Sequence, residues 1–333
     1  LNTRSPYLEN ARLQALQPVL GWRSSALHAL RTWFKDEGFT EIETPIRIPT
    51  PALEQHIDAE PSGAGFLRTS PELHMKRLLA AGYPRIFQMG PCFRKGERGE
   101  RHHPEYTMLE WYRAHADYLD ILDDTERLIT HVATNATFPP CASLSSLPAS
   151  RTPLASYRHG TPEPFGVGGL PPPPWPRFTV EELFLKHAGW NPVEAYDAER
   201  FERDLVARVE PALPRDTPVF VMDYPAAAAA LSRRKPGRET VAERFELYIA
   251  GIEIANAFSE LTDAVEQRRR FEEWAMERRT AGREVYALDE AFLSALVAGM
   301  PPAGGIALGV DRLVMALLGK TSLDDVIPFR ENI

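Results

Sequence analysis

The chain has 333 residues, 44% hydrophobic and 25% charged, enough for one large core or two domains. Its formal net charge of −8 gives no overall sign of nucleic-acid binding, although a local basic patch can coexist with an acidic total. There is no apolar run of about 18 residues and no apolar signal core in LNTRSPYLENARL, and Cys92 and Cys141 are too few for a disulfide framework, so a reducing cytoplasm fits and both read as small buried hydrophobes.

Residues 9–37 read as helical, with Leu27, Leu30, Trp33 and Phe34 at helical spacing and Gly38 as the stop. GFTEIETPIRIPTP follows as an extended segment punctuated by prolines. SPELHMKRLLAA (70–81) predicts a helix, with Ser70 as cap, Pro71 at the first position and Glu72 complementing the N-terminal dipole. RIFQMGPCF and EYTMLEWY read as two strands flanking a densely charged hairpin tip. In the second strand Tyr106, Met108, Glu110 and Tyr112 alternate with Thr107, Leu109 and Trp111. Residues 118–135 predict a helix.

Residues 139–176 differ in kind: they hold 11 of the 30 prolines, including PPPP at 171–174, and read as a surface insertion. A helix resumes at 179 with a capping box from Thr179 to Glu182. VFVMDYP (219–225) reads as a buried strand, and an alanine run passes into a basic loop, Arg233, Arg234, Lys235 and Arg238, read as solvated and mobile or, more sharply, as a surface for an acidic partner. RFELYIAGIEIANAFSEL (244–261) reads as two strands about Gly251, and Thr262 as the cap of a helix to about Arg279. Residues 289–299 predict a helix, GGIALG (304–309) a strand and VDRLVMALLG (310–319) a helix. Hairpins with helices outside the sheet predict an α+β fold on a mainly antiparallel sheet, without internal repeats.

Three motif lookalikes fail. Gly319-Lys320-Thr321 lacks the first glycine of a phosphate loop, Val314 standing there, and it follows a helix instead of preceding one. GGIALG lacks dinucleotide-loop spacing. His102 and His103 are adjacent and cannot share a helix face as metal ligands do. What remains is the hairpin with Arg94, the strand with Glu253 and Glu260, and the junction Gly309-Val310-Asp311-Arg312. Two arginine forks and two carboxylates suit a magnesium nucleotide, and a helix N-terminus after glycine attracts anions. Seven is odd, so simple alternation puts Glu253 and Glu260 on opposite faces, and convergence requires Glu260 to sit at a turn.

Gly38-Phe39 through Pro45 resembles motif 1 of the class II aminoacyl-tRNA synthetases, FRKGERGERHHPEYTMLEWY resembles motif 2, and GIALGVDRLVMAL resembles motif 3. Over about 20–138 and 219–330 the chain is similar to the lysyl enzymes. It is closer still to truncated lysyl-tRNA synthetase paralogues that attach (R)-β-lysine to elongation factor P, through SPELHMKRLL, EYTMLEWYR, VAERFELY, GIEIANAF and ALGVDRLVM.

The resemblance implies a class II catalytic core over 1–333 as a single domain with an insertion at 139–176 and no anticodon-binding domain before motif 1. It implies a homodimer, ATP and Mg²⁺, and activation of (R)-β-lysine or lysine as an adenylate for transfer to a lysine of elongation factor P, with no tRNA and no membrane involved. Arg94 would hold the α-phosphate and Arg312 the far phosphates. Glu97 and His103 would belong to the ATP site, Glu253 and Ile254 would line it, and Gly309 would leave room for adenosine. Ser70, Pro71, Glu72, Tyr112, Asn256 and Glu260 would form the amino-acid pocket, and Glu253 and Glu260 would meet Mg²⁺. The chain departs from the family pattern at Gly96, where an acid is usual (Glu97 follows), at His103 for asparagine and at Ala257 for glycine. At Ala255 the lysyl enzymes carry glycine; one methyl in a tight pocket shifts preference by roughly 1–3 kcal/mol, and the plainer reading is better packing in a strand. The alternatives are another acceptor, tRNA or ammonia, and a silent regulatory paralogue. Retention of Arg94, Glu253, Glu260 and Arg312 argues against the last.

Overall fold

A computed structural model describes residues 6–138, 169–229 and 231–329. Helix α1 (Pro6–Asp36) starts three residues ahead of the periodic segment, and Gly38, at φ +75°, turns the chain out of it. The proline-punctuated stretch yields only β1 (Thr40–Glu41) and β2 (Arg47–Ile48). β2 joins β3 (Pro61–Ser62) and β4 (Gly65–Leu67) in a small antiparallel sheet, and α2 (Glu72–Ala80) follows. Pro71 is the residue capping α2 and Ser70 stands one place earlier, its hydroxyl accepting the Glu72 N–H at 2.9 Å.

The hairpin strands are β5 (Arg85–Phe93) and β6 (Glu105–Ala114), followed by α3 (Tyr118–Asn135). After the insertion come β7 (Arg177–Thr179), α4 (Val180–His187), α5 (Ala198–Asp204), β8 (Val219–Pro225), β9 (Arg234–Lys235), β10 (Arg238–Ile249), β11 (Ile252–Ser259), α6 (Ala264–Thr280), α7 (Glu290–Gly299), β12 (Ala303–Gly309) and α8 (Val310–Leu317). The main sheet runs β1-β5-β6-β12-β11-β10-β8-β7, with β9 beside β10. From β5 to β8 it is antiparallel as expected; the edge pairs β1–β5 and β7–β8 are parallel. None of the described helices is long and apolar enough to cross a membrane.

Alternation decides which face each side chain takes. Leu109 and Trp111 of β6, Ile306 and Leu308 of β12, and Phe245 and Leu247 of β10 are buried in one core with α1, α3 and α8. Phe34 of α1 stacks on Phe87 at 4.3 Å and meets Trp111 edge-on at 5.3 Å. Ala255 lies in this core, so its methyl packs behind the sheet and does not narrow the cavity on the other face.

Three sequence readings are corrected here. The basic loop is a β-turn unit with its charges answered: Arg233 meets Glu243 at 2.6 Å, Lys235 meets Asp223 at 2.6 Å, Arg238 pairs with Glu181, and Arg234 lies 3.7 Å from Glu266. Asp263, not Thr262, caps α6, accepting the N–H groups of Val265 and Glu266. The insertion's last residues are ordered on the sheet edge, where Trp175 is buried against Phe220; residues 139–168, with Cys141, lie outside those described. Cys92 is buried, as read.

Candidate active site

Strand register builds the floor of one cavity of about 640 Å³. One lateral row sets Glu110, Ala307, Asn256 and Glu246 side by side on β6, β12, β11 and β10. The next sets Tyr112, Gly305, Phe258 and Arg244 in the same order. All eight line the cavity. Glu110 and Glu246 are three strands apart, about 14 Å at ordinary strand spacing, so the floor has two separate acidic ends.

At the β6 end three carboxylates surround one buried ammonium. Lys76 of α2 is 2.5 Å from Glu72, one turn before it, and 2.5 Å from Glu260 beyond β11. Its side chain is 0% exposed and that of Glu260 1%. These two carboxylates hold the Lys76 ammonium above its ordinary value despite burial. Burial pushes Glu260 upward against the pull of Lys76, and the pair is charged because each neutralises the other. Glu110 accepts the Ser70 hydroxyl at 2.6 Å and the Tyr112 hydroxyl at 3.0 Å, and burial with Glu72 nearby pushes it up to about 8. With all three ionised, three negative charges face one positive charge.

Gly305 makes this end possible. A Cβ there would lie 2.2 Å from Glu260 Oε1 and 2.3 Å from the Tyr112 ring. Gly305→Ala is expected to close this end of the cavity, weakening binding of whatever ligand it takes at least tenfold, while costing about 1–3 kcal/mol of stability through overpacking. Ligand titration and a denaturation curve check both, and unchanged affinity would remove Gly305 from the wall of a binding site.

At the β10–β11 end, Glu246 accepts from Arg244 at 2.6 Å and from the hydroxyls of Tyr224 at 2.6 Å and Tyr248 at 2.8 Å. Removal from bulk water and the neighbouring Glu246 both push Glu253 upward, while Arg312 of α8, 3.1 Å away, pulls it down. Glu253 reaches this face through a β-bulge. Leu247 opposes Ala255, but the next residue, Tyr248, opposes Glu253, so Ile254 is extra and the parity of β11 flips. This bulge, rather than a turn at Glu260, reconciles an odd spacing with a shared cavity.

Arg312 is held by its neighbours. Asp311 accepts the Thr107 N–H at 2.8 Å and pairs with Arg23 of α1 at 2.6 Å, locking the start of α8 to β6 and α1. Arg312 Nη2 is 2.7 Å from His102 Nε2, which accepts, because a guanidinium only donates; burial and Arg312 push this histidine down. On the hairpin, Gly96 at φ +76° takes a backbone conformation that disfavours a side chain, and the displaced acid Glu97 folds back to within 3.5 Å of Arg94. Arg94 stacks on Tyr106, 5.3 Å from its centroid, and its buried Nε has no hydrogen-bond partner among the described residues.

Of the residues singled out by sequence, Ser70, Glu72, Arg94, Tyr112, Glu253, Asn256 and Glu260 line the cavity together. Arg312 and Glu97 are tied to its lining through Glu253 and Arg94. Pro71, His103, Ile254 and Gly309 are off the lining. His103 Nδ1 lies 2.6 Å from its own turn's Glu105 carbonyl, and its Nε2 is buried without a partner among the described residues. Ile254 is buried at the bulge, and Gly309 caps α8 with only ordinary contacts around a would-be Cβ. Sequence reasoning missed Glu54, Lys76, Glu110 and Glu246. Two left a signal: a lone acid inside MLEWY and inside FELYI is a charge in a buried strand.

The two acids expected at the metal, Glu253 and Glu260, lie at different ends of the floor. Glu260 is engaged with Lys76 at the β6 end, while Glu246 and Glu253 are neighbours at the other end of the floor, bonded to Arg244 and two tyrosines and to Arg312 respectively. Mg²⁺ is commonly held by one or two carboxylates plus substrate phosphates. Two adjacent carboxylates, one of which raises the other, fit that role, and among the described residues no group of three or more metal-ligating side chains is assembled.

Comparison with known proteins places the chain in a family. The family described as tRNA synthetases class II (D, K and N) matches residues 1–332. The chain is 37% identical over 96% of its length to an elongation factor P–(R)-β-lysine ligase of Hamiltonella defensa, covering 98% of that protein. It is 38% identical over 92% of its length to the ligase of the same name from Erwinia tasmaniensis, covering 93% of it. It is 35% identical over 99% of its length to a lysine–tRNA ligase of Moorella thermoacetica, covering 68% of that protein.

Proposed function

The chain belongs to the class II tRNA synthetases (D, K and N), and from that premise we propose that it activates (R)-β-lysine with ATP and ligates it to a lysine side chain of elongation factor P. The observation that carries the substrate class is the charge balance around Lys76. Glu72, Glu110 and Glu260 exceed the one internal ammonium by two, and an amino acid with two ammonium groups supplies two. The names of the relatives support the β-isomer and the protein acceptor.

In this reading Glu72, Glu110 and Glu260 hold the ammonium groups, with Ser70, Tyr112 and Asn256 orienting the chain of the substrate. Arg94, with its unsatisfied Nε, binds the α-phosphate and stabilises charge there as the substrate carboxylate attacks. Arg312 binds the outer phosphates, and His103 offers its free Nε2 to the nucleotide. Ile254 and Gly309 flank the base by backbone, and Pro71 fixes the loop before α2. Glu246 and Glu253 would hold Mg²⁺, which would neutralise phosphate charge. The protein supplies positioning and charge, and no side chain becomes covalently attached to substrate. A single catalytic domain and a homodimer built on Gly38–Pro45 belong to the same reading, supported by the extent of the family match and the likeness of that segment to motif 1. The reaction is cytoplasmic, where a translation factor is available.

The test is intact-mass spectrometry of elongation factor P incubated with the protein, ATP and Mg²⁺, with (R)-β-lysine, α-lysine or neither. A gain of one lysyl unit, larger with the β-isomer and absent without amine, supports the reading; no gain on a competent acceptor sinks it. Similarity to a lysine–tRNA ligase favours tRNA as the second acceptor to try.

Binding is also expected to depend on pH. The free site holds the Glu110 carboxyl at about 8, so it is mainly protonated at neutral pH, and a bound ammonium favours its ionised form. Binding at pH 7 therefore releases a proton, and affinity rises by up to about tenfold per pH unit below 8 and levels off above it. Calorimetry in buffers of different ionisation enthalpy measures the release; a heat independent of buffer would contradict this account of Glu110.

A further inference from the structure

One carboxylate on the cavity wall has no part in the chemistry described so far. Glu54 sits in the loop between β2 and β3 and lines the cavity. Its loop is fixed from two sides. Arg278 of α6, its side chain wholly buried, donates to the carbonyls of Glu54 at 2.8 Å and Ile57 at 2.9 Å and pairs with Asp58. The Lys95 N–H donates to the Asp58 carbonyl at 2.8 Å, which ties the loop to the hairpin carrying Arg94. Yet among the described residues the Glu54 side chain has no hydrogen bond or ion pair; burial acts on it, and so do the more distant charges of Arg94 and Glu97 on the hairpin, Glu72 of α2 and Arg278 of α6.

The other acids of the cavity are committed. Glu72 and Glu260 hold Lys76, Glu110 bonds Ser70 and Tyr112, Glu246 bonds Arg244 and two tyrosines, and Glu253 pairs with Arg312. Glu199 and Glu202 sit on the exposed rim. Glu54 is a pinned but unengaged carboxylate beside the arginine assigned to the α-phosphate, and that phosphate adjoins the carbonyl to be attacked.

Resting on the adenylate reading above, we propose that Glu54 is the base that takes a proton from the acceptor's ammonium in the second half-reaction. An acceptor lysine arrives as R–NH3⁺, without a lone pair. One proton passes from nitrogen to the Glu54 carboxylate and frees that pair. The pair forms the C–N bond at the adenylate carbonyl carbon, and the C–O bond to phosphate breaks, AMP leaving with those electrons. The second nitrogen proton goes to the departing phosphate or to water, and Glu54 returns its proton to water. Burial pushes the Glu54 carboxyl up to about 7, against the pull of Arg94, which suits a base working near neutral pH.

The experiment compares Glu54→Gln with the unaltered protein in two assays on the same preparations. One is ATP–pyrophosphate exchange with (R)-β-lysine; the other is single-turnover transfer from preformed adenylate to elongation factor P. Transfer is expected to fall about 100-fold relative to exchange. The unaltered protein's transfer should rise between pH 6 and 8, and the variant should lose that rise. Hydroxylamine, unprotonated at neutral pH, should restore capture by the variant to near the unaltered rate. Equal loss in both assays, or transfer that keeps its rate and pH profile, would overturn the proposal. Absence of exchange by the unaltered protein would instead remove the adenylate reading, and this inference with it.

Discussion

Lys76→Met is expected to lower the free energy of unfolding by about 3–5 kcal/mol, the scale seen when one partner of a buried ion pair is deleted. The reason lies in what remains. Lys76 is wholly buried and is the ammonium between Glu72 and Glu260, and Glu260 has almost no access to solvent. Methionine fills the volume, so packing changes little, but two carboxylates face each other beside Glu110 with nothing between them. Those acids would take up protons, and the site would lose the charge that attracts a diamine. Amino-acid-dependent pyrophosphate exchange should therefore disappear along with the stability. Adding Glu260→Gln to Lys76→Met removes the most deeply buried unpaired charge, and should recover part of the stability but none of the activity. Urea denaturation of the single and double variants separates the two effects. A single variant that unfolds at the unaltered midpoint would show that the carboxylates find other partners, and the charge balance would no longer carry the substrate class.

Arg94→Ala is expected to reduce pyrophosphate exchange by about 10²–10³-fold, the range found when one donor to a developing oxyanion is deleted. Arg94 stands on a hairpin turn set by Gly96, leans on the Tyr106 ring and keeps an unsatisfied Nε directed inward. A guanidinium placed this way has its ordering cost met before substrate arrives, so losing it costs more than losing a mobile surface arginine. Arg94→Lys should rescue little, because an ammonium cannot present the planar fork. Stability should change far less than for Lys76, since the Arg94 side chain is 28% exposed and its nearest acid, Glu97, is as open at 32%. The decisive comparison is kcat against the KM for ATP. A loss confined to KM would make Arg94 a ground-state contact and move the catalytic charge to Arg312.

The fold was readable where period and punctuation agreed. Alternation in EYTMLEWY separates Leu109 and Trp111 from Glu110 and Tyr112, and the structure keeps that division. The parallel edges were not readable, because β1 and β7 have two and three residues and no pattern of their own. The cavity lining was readable at Ser70, Glu72, Arg94, Tyr112, Glu253, Asn256 and Glu260. It was unreadable where meaning depends on register. Glu110 and Glu246 become opposite ends of one floor only when β12 and β11 lie between them. Lys76 looks like one more surface lysine of α2 until β11 delivers Glu260 to it. The basic segment was misread for a related reason: its answering acids, Glu181, Asp223, Glu243 and Glu266, come from four separate places along the chain.

The extra residue at Ile254 has a consequence for how such a site can change over time. Upstream and downstream of it, β11 offers opposite sides of its backbone to the same space, so Glu253 and Asn256 can serve one cavity. Substitution within this stretch alters one group at a time and leaves the arrangement standing. Loss of a single codon would do more. It would restore the regular pleat and turn Glu253 away from Glu246 while leaving every surviving residue type intact. Along these few positions the count of residues is a stricter constraint than their identity, and insertions or deletions there are a sharper marker of lost activity than amino-acid replacements.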